Sequence, residues 1–412
     1  MPKPRVLIAA AWGLALAALP AFAQKNSCLD CHAKLEGELK APAEAFKLDI
    51  HQQFGLRCSD CHGGNPAEDD EDKAKDKTFK GAPARPRIPE FCGKCHADAA
   101  YIRTFNPNLR VDQLSLYGTS RHGLLLRKGD TKPAVCTDCH GVHGIQTAKF
   151  PKSPTFPWNI PQTCGRCHAD PEYMKAYGIP TNQLSEYKGS VHARALFEKR
   201  DLAAPACNSC HGNHGAYPPA VKSIAQVCRQ CHPSAGDLFS RSPHKKAFDD
   251  LGLSECEACH GNHKILPPSS GMLGASSGSV CVQCHEPGSK GAAAAAELRN
   301  LIDGFETRIQ SDDGILAVAA RKGVEVSEPR FRLQEVNTTL VSVENLVHGL
   351  NLEEIKKKVD EGDQALAGIH KEGEAALAEA RFRRTGLVVA TVFLALFGIA
   401  LFLKIRGLKR AE

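Results

Sequence analysis

The amino-acid sequence predicts a mostly α-helical and irregular protein, with repeated small modules, a helical hairpin or stalk, and one C-terminal transmembrane helix. Three observations predict this architecture. All 18 cysteines fall into nine Cys-x-x-Cys-His motifs, units of two motifs recur along the first two thirds of the chain, and an uncharged apolar stretch lies near the C-terminus. We therefore expect five segments, with boundaries at residues 1–23, 24–287, 288–385, 386–403 and 404–412.

The Cys-x-x-Cys-His motif is the attachment sequence of c-type haem. Its thiols bind the porphyrin covalently, and the adjacent histidine is the proximal ligand of the iron. A single motif is also compatible with a redox disulfide, a disulfide framework or zinc. Nine copies with a histidine each and no cysteine left over favour nine c-type haems, which would form the packed interior of residues 24–287. The predicted attachment cysteines are Cys28, Cys31, Cys58, Cys61, Cys92, Cys95, Cys136, Cys139, Cys164, Cys167, Cys207, Cys210, Cys228, Cys231, Cys256, Cys259, Cys281 and Cys284. The predicted proximal ligands are His32, His62, His96, His140, His168, His211, His232, His260 and His285.

Nine further histidines match the nine irons, so every haem is expected to have two axial histidines. Methionine cannot replace them, because only Met174 and Met272 remain once residues 1–23 are removed. Iron with two histidine ligands has no open position and a lower potential than iron with histidine and methionine, which favours electron transfer. No catalytic residue is predicted. The predicted distal ligands are His51, His122, His143, His192, His214, His244, His263, His348 and His370.

The haem-binding segment is a series of repeats. Each has a lone histidine, a Cys-x-x-Cys-His-Gly-x-His run and a second Cys-x-x-Cys-His motif; full copies start at His122, His192 and His244, and a degenerate copy starts at His51. We expect each full copy to supply its own two distal ligands, which leaves the three N-terminal motifs two ligands short. Glycine lets the chain turn after the motif, so the histidine of each Gly-x-His run is expected to bind a neighbouring haem.

Two histidines of the helical segment match this deficit. We expect at least one of His348 and His370 to cross back to an N-terminal haem; the alternative is an ordinary position on an amphipathic helix. Apolar residues at helical spacing predict two helices separated near residues 349–351, the second continuing into the membrane. An earlier helix is expected over 292–309, ending near 312–314.

Both ends of the chain predict export and anchoring. Residues 1–23 have a basic start, an apolar run and an Ala-x-Ala end, as in a secretory signal peptide. Residues 386–403 would form a helix of about 27 Å, close to the thickness of the bilayer core. We expect the haem segment in the periplasm, the tail 404–412 in the cytoplasm, and a solvated loop, or alternatively a docking patch, at the charged insert 68–80.

The Gly-x-His runs, and the Ser-x-x-His or Ser-x-His segments of the repeats, resemble multihaem c-type cytochromes of anaerobically respiring bacteria. The resemblance covers about residues 27–287 and is to the cytochrome c3-related and doubled-CXXCH groups. It implies electron transfer between a quinol-oxidising integral membrane subunit and periplasmic cytochromes or outer-membrane acceptors. The single anchor is also similar to that of small quinol dehydrogenases, but theirs is N-terminal, so we place quinol oxidation in a partner.

An electron conduit is therefore the preferred interpretation, and the protein is not expected to be an enzyme in its own right. The alternative is a nitrite, hydroxylamine or sulfur-oxyanion reductase or oxidoreductase, with one open haem among the N-terminal three. The sequence contains no Cys-x-x-Cys-Lys motif. A nucleic-acid partner is not expected, because the formal charge of +6 falls to +4 without Lys3 and Arg5, only 6% of residues are aromatic, and no basic stripe is present.

Overall fold

The computed structural model describes residues 25–219 and 224–408, so the predicted signal peptide and residues 409–412 of the predicted tail lie outside it. Within these ranges the chain forms α-helices and 3-10 helices and no β-strand, which confirms the mostly helical and irregular fold class. Two compact units are present. The first comprises Met1–Thr163 and His214–Ala216, and the second comprises Cys164–Asn213 and Tyr217–Glu412.

The first unit contains ten short helices in its described part, and an eleventh begins in it. They are α1 (Ser27–His32), α2 (Ala41–Phe46), α3 (Ile50–Gln53), α4 (Cys58–His62), α5 (Glu71–Ala74), α6 (Ile88–His96), α7 (Ala99–Phe105), α8 (Gln113–Thr119), α9 (Arg121–Arg127), α10 (Cys136–His140) and α11 (Ile160–His168). Short 3-10 helices cover Gly37–Leu39, Arg85–Arg87 and Pro157–Asn159.

The second unit combines short helices with three long ones. They are α12 (Pro171–Met174), α13 (Gln183–Lys188), α14 (Val191–Phe197), α15 (Cys207–His211), α16 (Ile224–Arg229), α17 (Pro233–Arg241), α18 (Pro243–Leu251), α19 (Glu257–His260), α20 (Lys290–Arg321), α21 (Ser327–Leu346) and α22 (Leu352–Leu408). Short 3-10 helices cover Lys175–Tyr177, Ser270–Met272, Cys281–Gln283 and Val347–Gly349.

Side-chain caps precede three of the four lone histidines of the repeats, His51, His122 and His192. The hydroxyl of Ser120 accepts a hydrogen bond from the Gly123 amide, and that of Ser190 accepts one from the Ala193 amide. Asp49 caps α3 in the same way, with its carboxylate 2.8 Å from the amide nitrogen of His51. A cap fixes the first turn of a helix. The cap therefore sets the direction of the histidine that follows it by two residues.

The long helices α20, α21 and α22 correspond to the predicted earlier helix and the predicted hairpin, and all three pack together as one bundle. Its core includes Phe305, Leu316, Ile355 and Ile369, all nearly inaccessible to solvent. Helix α20 also continues through Gly314 to Arg321, beyond the predicted end near 312–314. Glycine inside a helix costs about 1 kcal/mol relative to alanine, which the burial of the following turn offsets.

A sharp corner separates α21 from α22. The 3-10 turn Val347–Gly349 leads to Leu350, which has the left-handed backbone conformation with φ of 51°. This break lies at the predicted position. Helix α22 then runs without interruption for 57 residues and includes the apolar segment 386–403. It is the helix of the described chain that is long and apolar enough to cross a membrane, and its apolar window is exposed.

Candidate haem-binding sites

Seven predicted distal histidines lie opposite predicted proximal histidines. The centres of the two imidazole rings are separated by 5.8–6.4 Å in every case. The pairs of the first unit are His51–His96, His143–His62 and His214–His140. The pairs of the second unit are His192–His232, His263–His211, His244–His285 and His348–His260.

The spacing of these pairs fits iron with two axial imidazoles. Two metal–nitrogen bonds of about 2 Å, and about 1 Å from each nitrogen to its ring centre, give a separation of about 6 Å. A zinc site requires three or four clustered ligands. In residues 25–219 and 224–408, no group of three or more His, Cys, Asp or Glu side chains is arranged to hold a metal ion. The side chains therefore suit haem and give no support to zinc.

Hydrogen bonds at Nδ1 fix the tautomer of several predicted ligand histidines so that Nε2 can bind a metal. Nδ1 of His32 donates to the Leu39 carbonyl at 2.8 Å, and Nδ1 of His62 donates to the Gly81 carbonyl at 2.9 Å. His348 has the corresponding bond to the Asn345 carbonyl at 2.9 Å. A carbonyl accepts only from a protonated Nδ1, so the lone pair of Nε2 is available for a metal.

Burial lowers the pKa of nine of the eighteen predicted site histidines and so favours the neutral form that binds metal. Desolvation is the largest cause that lowers the pKa in each case, and nearby imidazoles add to it for most of them. The histidines with a lowered pKa are His96, His140, His143, His168, His192, His211, His214, His244 and His260.

The cysteines show that successive motifs are neighbours in space within each unit. None of the eighteen cysteines is in a disulfide. First cysteines of successive motifs are in hydrogen-bonding contact, and the contact with Cys136 raises the pKa of Cys92. The corresponding pairs in the second unit are Cys164–Cys207 and Cys228–Cys256. In other pairs of successive motifs, the second cysteines lie near each other. These pairs are Cys61–Cys95, Cys210–Cys231 and Cys259–Cys284.

The facing histidines follow one rule along the repeats. The lone histidine faces the second motif of its own repeat, as His51 faces His96. The histidine of the Gly-x-His run faces the first motif of the preceding repeat, as His143 faces His62. Both parts of the rule recur in later repeats. The expectation that each full repeat supplies its own ligands is therefore wrong, because the turn at the glycine carries the histidine back to the previous repeat.

The two histidines of the helical segment have different surroundings from those predicted. His348 faces His260, which belongs to the last repeat and not to the N-terminal motifs. Nδ1 of His370 is 2.7 Å from the carboxylate of Asp312, and its Nε2 is 3.7 Å from that of Glu374. Both nitrogens of His370 thus face carboxylates within the bundle. The expectation that one of these histidines crosses back to an N-terminal haem is wrong.

Two further predicted ligands lie on helices of the expected type. His122 follows the capping Ser120 on α9, and His168 ends α11. Their roles as distal and proximal ligands stay predictions.

One supporting residue was missed by the sequence interpretation. Asp49 is 2% exposed and accepts hydrogen bonds from the amide and Nδ1 of His51 and from the amide of Ile145. Burial acts to raise the pKa of Asp49, but these hydrogen bonds lower it overall. The signal was present, because Asp49 precedes its histidine by two residues, as Ser120 and Ser190 do.

A family described as Cytochrome c3 matches residues 50–169 and 198–286, which together make up just over half of the chain. Neither the curated proteins nor the solved structures include a significant match.

Proposed function

The chain belongs to the cytochrome c3 family, and on this premise we propose that it is a nine-haem electron carrier anchored to the cytoplasmic membrane. Family membership means that it is a multihaem c-type cytochrome that transfers electrons. We propose that its haems carry electrons between a quinol-linked integral membrane subunit and periplasmic cytochromes or outer-membrane acceptors in anaerobic respiration.

The facing histidines are the observation that carries this proposal. Bound haem supplies a reversible one-electron centre, and two imidazoles leave its iron without a position for substrate. The residues of this chain hold the rings in opposed pairs and place successive attachment cysteines side by side within each unit. Closely spaced centres without an open position suit conduction better than catalysis.

The bundle bears on where the electrons enter. His348 lies at the corner where α22 begins, and the apolar segment 386–403 starts more than thirty residues further along the same helix. At 1.5 Å per residue this stretch of helix is about 50 Å long. A quinol in the bilayer is therefore far from the His348–His260 pair along the helix. This supports a separate partner that oxidises quinol and reaches out from the membrane.

The number of haems and their ligation can be measured on the purified full-length protein in detergent. We expect nine haems per chain by pyridine haemochrome assay and intact mass, low-spin signals from most of them, and reduction potentials that are low and spread over a range. A Cys136→Ala/Cys139→Ala variant should carry one haem fewer. Fewer than nine haems in the wild type would contradict the proposal.

The topology needs its own measurement. Alkaline phosphatase fused after residue 412 should be inactive, because we place the tail in the cytoplasm, and a fusion at residue 287 should be active. An active fusion after residue 412 would contradict the proposed orientation.

A further inference from the structure

The first motif of the chain, which ends at His32, departs from the pattern of the other sites. Nδ1 of His32 donates to the Leu39 carbonyl, so its Nε2 is available to a metal like that of its counterparts. No histidine ring lies against that of His32 in residues 25–219 and 224–408, and the residues outside these ranges contain no histidine. His32 therefore has the Nδ1 hydrogen bond expected of a proximal ligand, but no histidine ring lies opposite it in the described residues.

The rule of the repeats shows which residue should have supplied the missing histidine. Each first motif is faced by the Gly-x-His histidine of the next repeat, so the motif before His51 should be faced from the run that follows His62. That run reads His-Gly-Gly-Asn, and Asn65 stands where His143 and its equivalents stand. The backbone turn is retained, since φ is 74° at Gly63 and 86° at Gly141.

The loop of Asn65 packs against the first motif. The carbonyl of Pro66 accepts a hydrogen bond from the amide of Ser27 at 3.0 Å, which attaches the loop to the start of α1. The first cysteines of the two motifs, Cys28 and Cys58, also lie close enough to interact electrostatically. Residue 65 is therefore held beside the first haem motif, in keeping with the role of its equivalents.

The charged insert 68–80 fixes this loop from the other side. The amide of Asn65 donates to the Ala74 carbonyl at 2.8 Å, and the amide of Gly64 donates to the Thr78 hydroxyl at 3.0 Å. A Cβ at Gly63 would lie 2.0 Å from the Thr78 carbonyl oxygen, so glycine is required for this approach. The insert is thus built onto the motif and is not merely a solvated loop.

Other side chains do not replace the histidine. The side-chain oxygen of Asn65 accepts from the Ala67 amide at 3.1 Å, and an amide is a weaker iron ligand than imidazole. The first unit contains no methionine in residues 25–163 and 214–216. Lys25 is paired with Asp69 at 2.5 Å, and Lys75 is paired with Glu71 at 2.6 Å.

We infer that the haem bound at Cys28, Cys31 and His32 has an exchangeable sixth position that accepts a small external ligand. This inference rests on the proposed function, because it requires haem at the first motif. The adjoining insert begins with five consecutive acidic residues, 68–72. Negative potential beside the iron disfavours anions, so the ligand class is a small neutral molecule such as carbon monoxide or nitric oxide.

Carbon monoxide binding to the reduced full-length holoprotein tests this inference. We expect one carbon monoxide per nine haems and one high-spin signal in the oxidised protein. Asn65→His should abolish both with nine haems retained, whereas Asn65→Ala should keep both. Nine haems without carbon monoxide binding would overturn this inference alone, whereas a lower haem count in the wild type would overturn the proposed function.

If the Asn65→His variant does not assemble with its haems, two further variants test the same inference. Cys28→Ala/Cys31→Ala should lose one haem and all carbon monoxide binding. His143→Asn copies the degenerate run into the second repeat, so it should raise the stoichiometry from one to two per chain. Carbon monoxide binding that survives loss of the first haem would overturn the assignment.

The salt dependence of binding tests the ligand class. Carbon monoxide affinity should not change between low and physiological salt, because the ligand is neutral. Nitrite affinity should be lower at low salt and rise with salt, because ions screen the repulsion by residues 68–72. A nitrite affinity that falls as salt is added would overturn the preference for neutral ligands.

Discussion

The motifs of His32 and His260 lie at opposite ends of the same series, and they differ in what faces them. Each is a first motif, which the following repeat should complete. His260 belongs to the last repeat, and His348 of the helical bundle takes the place of a following repeat. His32 precedes the degenerate repeat, where Asn65 replaces the histidine, and no histidine ring faces it in the described chain.

This difference shows that the bundle is more than a stalk. Its corner is attached to α17, the helix that follows the seventh motif. The side-chain amide of Asn345 donates to the Ser234 hydroxyl at 2.6 Å, and a Cβ at Gly349 would be 3.5 Å from the Leu238 side chain. The same corner holds His348 opposite His260. The end of the series that adjoins the bundle is therefore closed by it.

The largest expected effect comes from opening this closed end. His348→Asn removes the imidazole that faces His260, so the haem there should gain an open position. We expect carbon monoxide binding to rise by one per chain and the reduction potential of one haem to shift upwards, with nine haems retained. Optical spectra with carbon monoxide and a redox titration measure both.

The matched control is His370→Asn in the same bundle. Both nitrogens of His370 face carboxylates, so its removal should leave the carbon monoxide stoichiometry and the low-spin signals unchanged. If His348→Asn changes nothing, or if His370→Asn opens a haem, the assignment of the closed end is wrong.

A smaller effect is expected where the bundle begins. A Cβ at Gly291 would lie 2.2 Å from Nδ1 of His285, the histidine that faces His244. Gly291→Ala should therefore displace the ring and weaken one low-spin signal, detected as partial carbon monoxide binding at one haem. The same substitution at Gly314, where a Cβ meets nothing within 4 Å, should leave the haems unchanged. It should stabilise the helix by about 0.5–1 kcal/mol, measured by thermal unfolding.

The candidate haem-attachment motifs could be recognised from the sequence because they depend on local spacing. In six of its nine copies the Cys-x-x-Cys-His motif lies on one short helix, and the repeat pattern identified the histidines that face seven of the motifs. The break near Leu350 was also predicted, because the apolar spacing changes there. The mostly helical fold follows from the same patterns and is confirmed.

The partners of the distal histidines could not be predicted, because they depend on how repeats pack. His143 is three residues from His140 but faces His62, which lies far back in the sequence. A count of ligands within each repeat does not show that the Gly-x-His histidine faces the preceding repeat. For the same reason His348 was wrongly expected to face an N-terminal motif. The three helices were predicted, but the full length of the first helix and its packing on the other two were not, since Gly314 was taken as a helix end although Leu316 and Ala319 are buried just beyond it.

The smallest effect concerns His370, which should influence the stability of the bundle without influencing the haems. The hydrogen bond with Asp312 is the largest cause that raises the pKa of His370. A pKa raised in the folded state stabilises the fold fully below the ordinary value of about 6.5, and this contribution is lost as pH rises through the folded value. Thermal unfolding of the full-length protein in detergent should therefore show a bundle that becomes less stable across this window, and His370→Gln should remove this dependence. The bundle could instead become more stable as pH rises, with the same pH dependence of stability in His370→Gln as in the wild type. That result would show that another group dominates the titration.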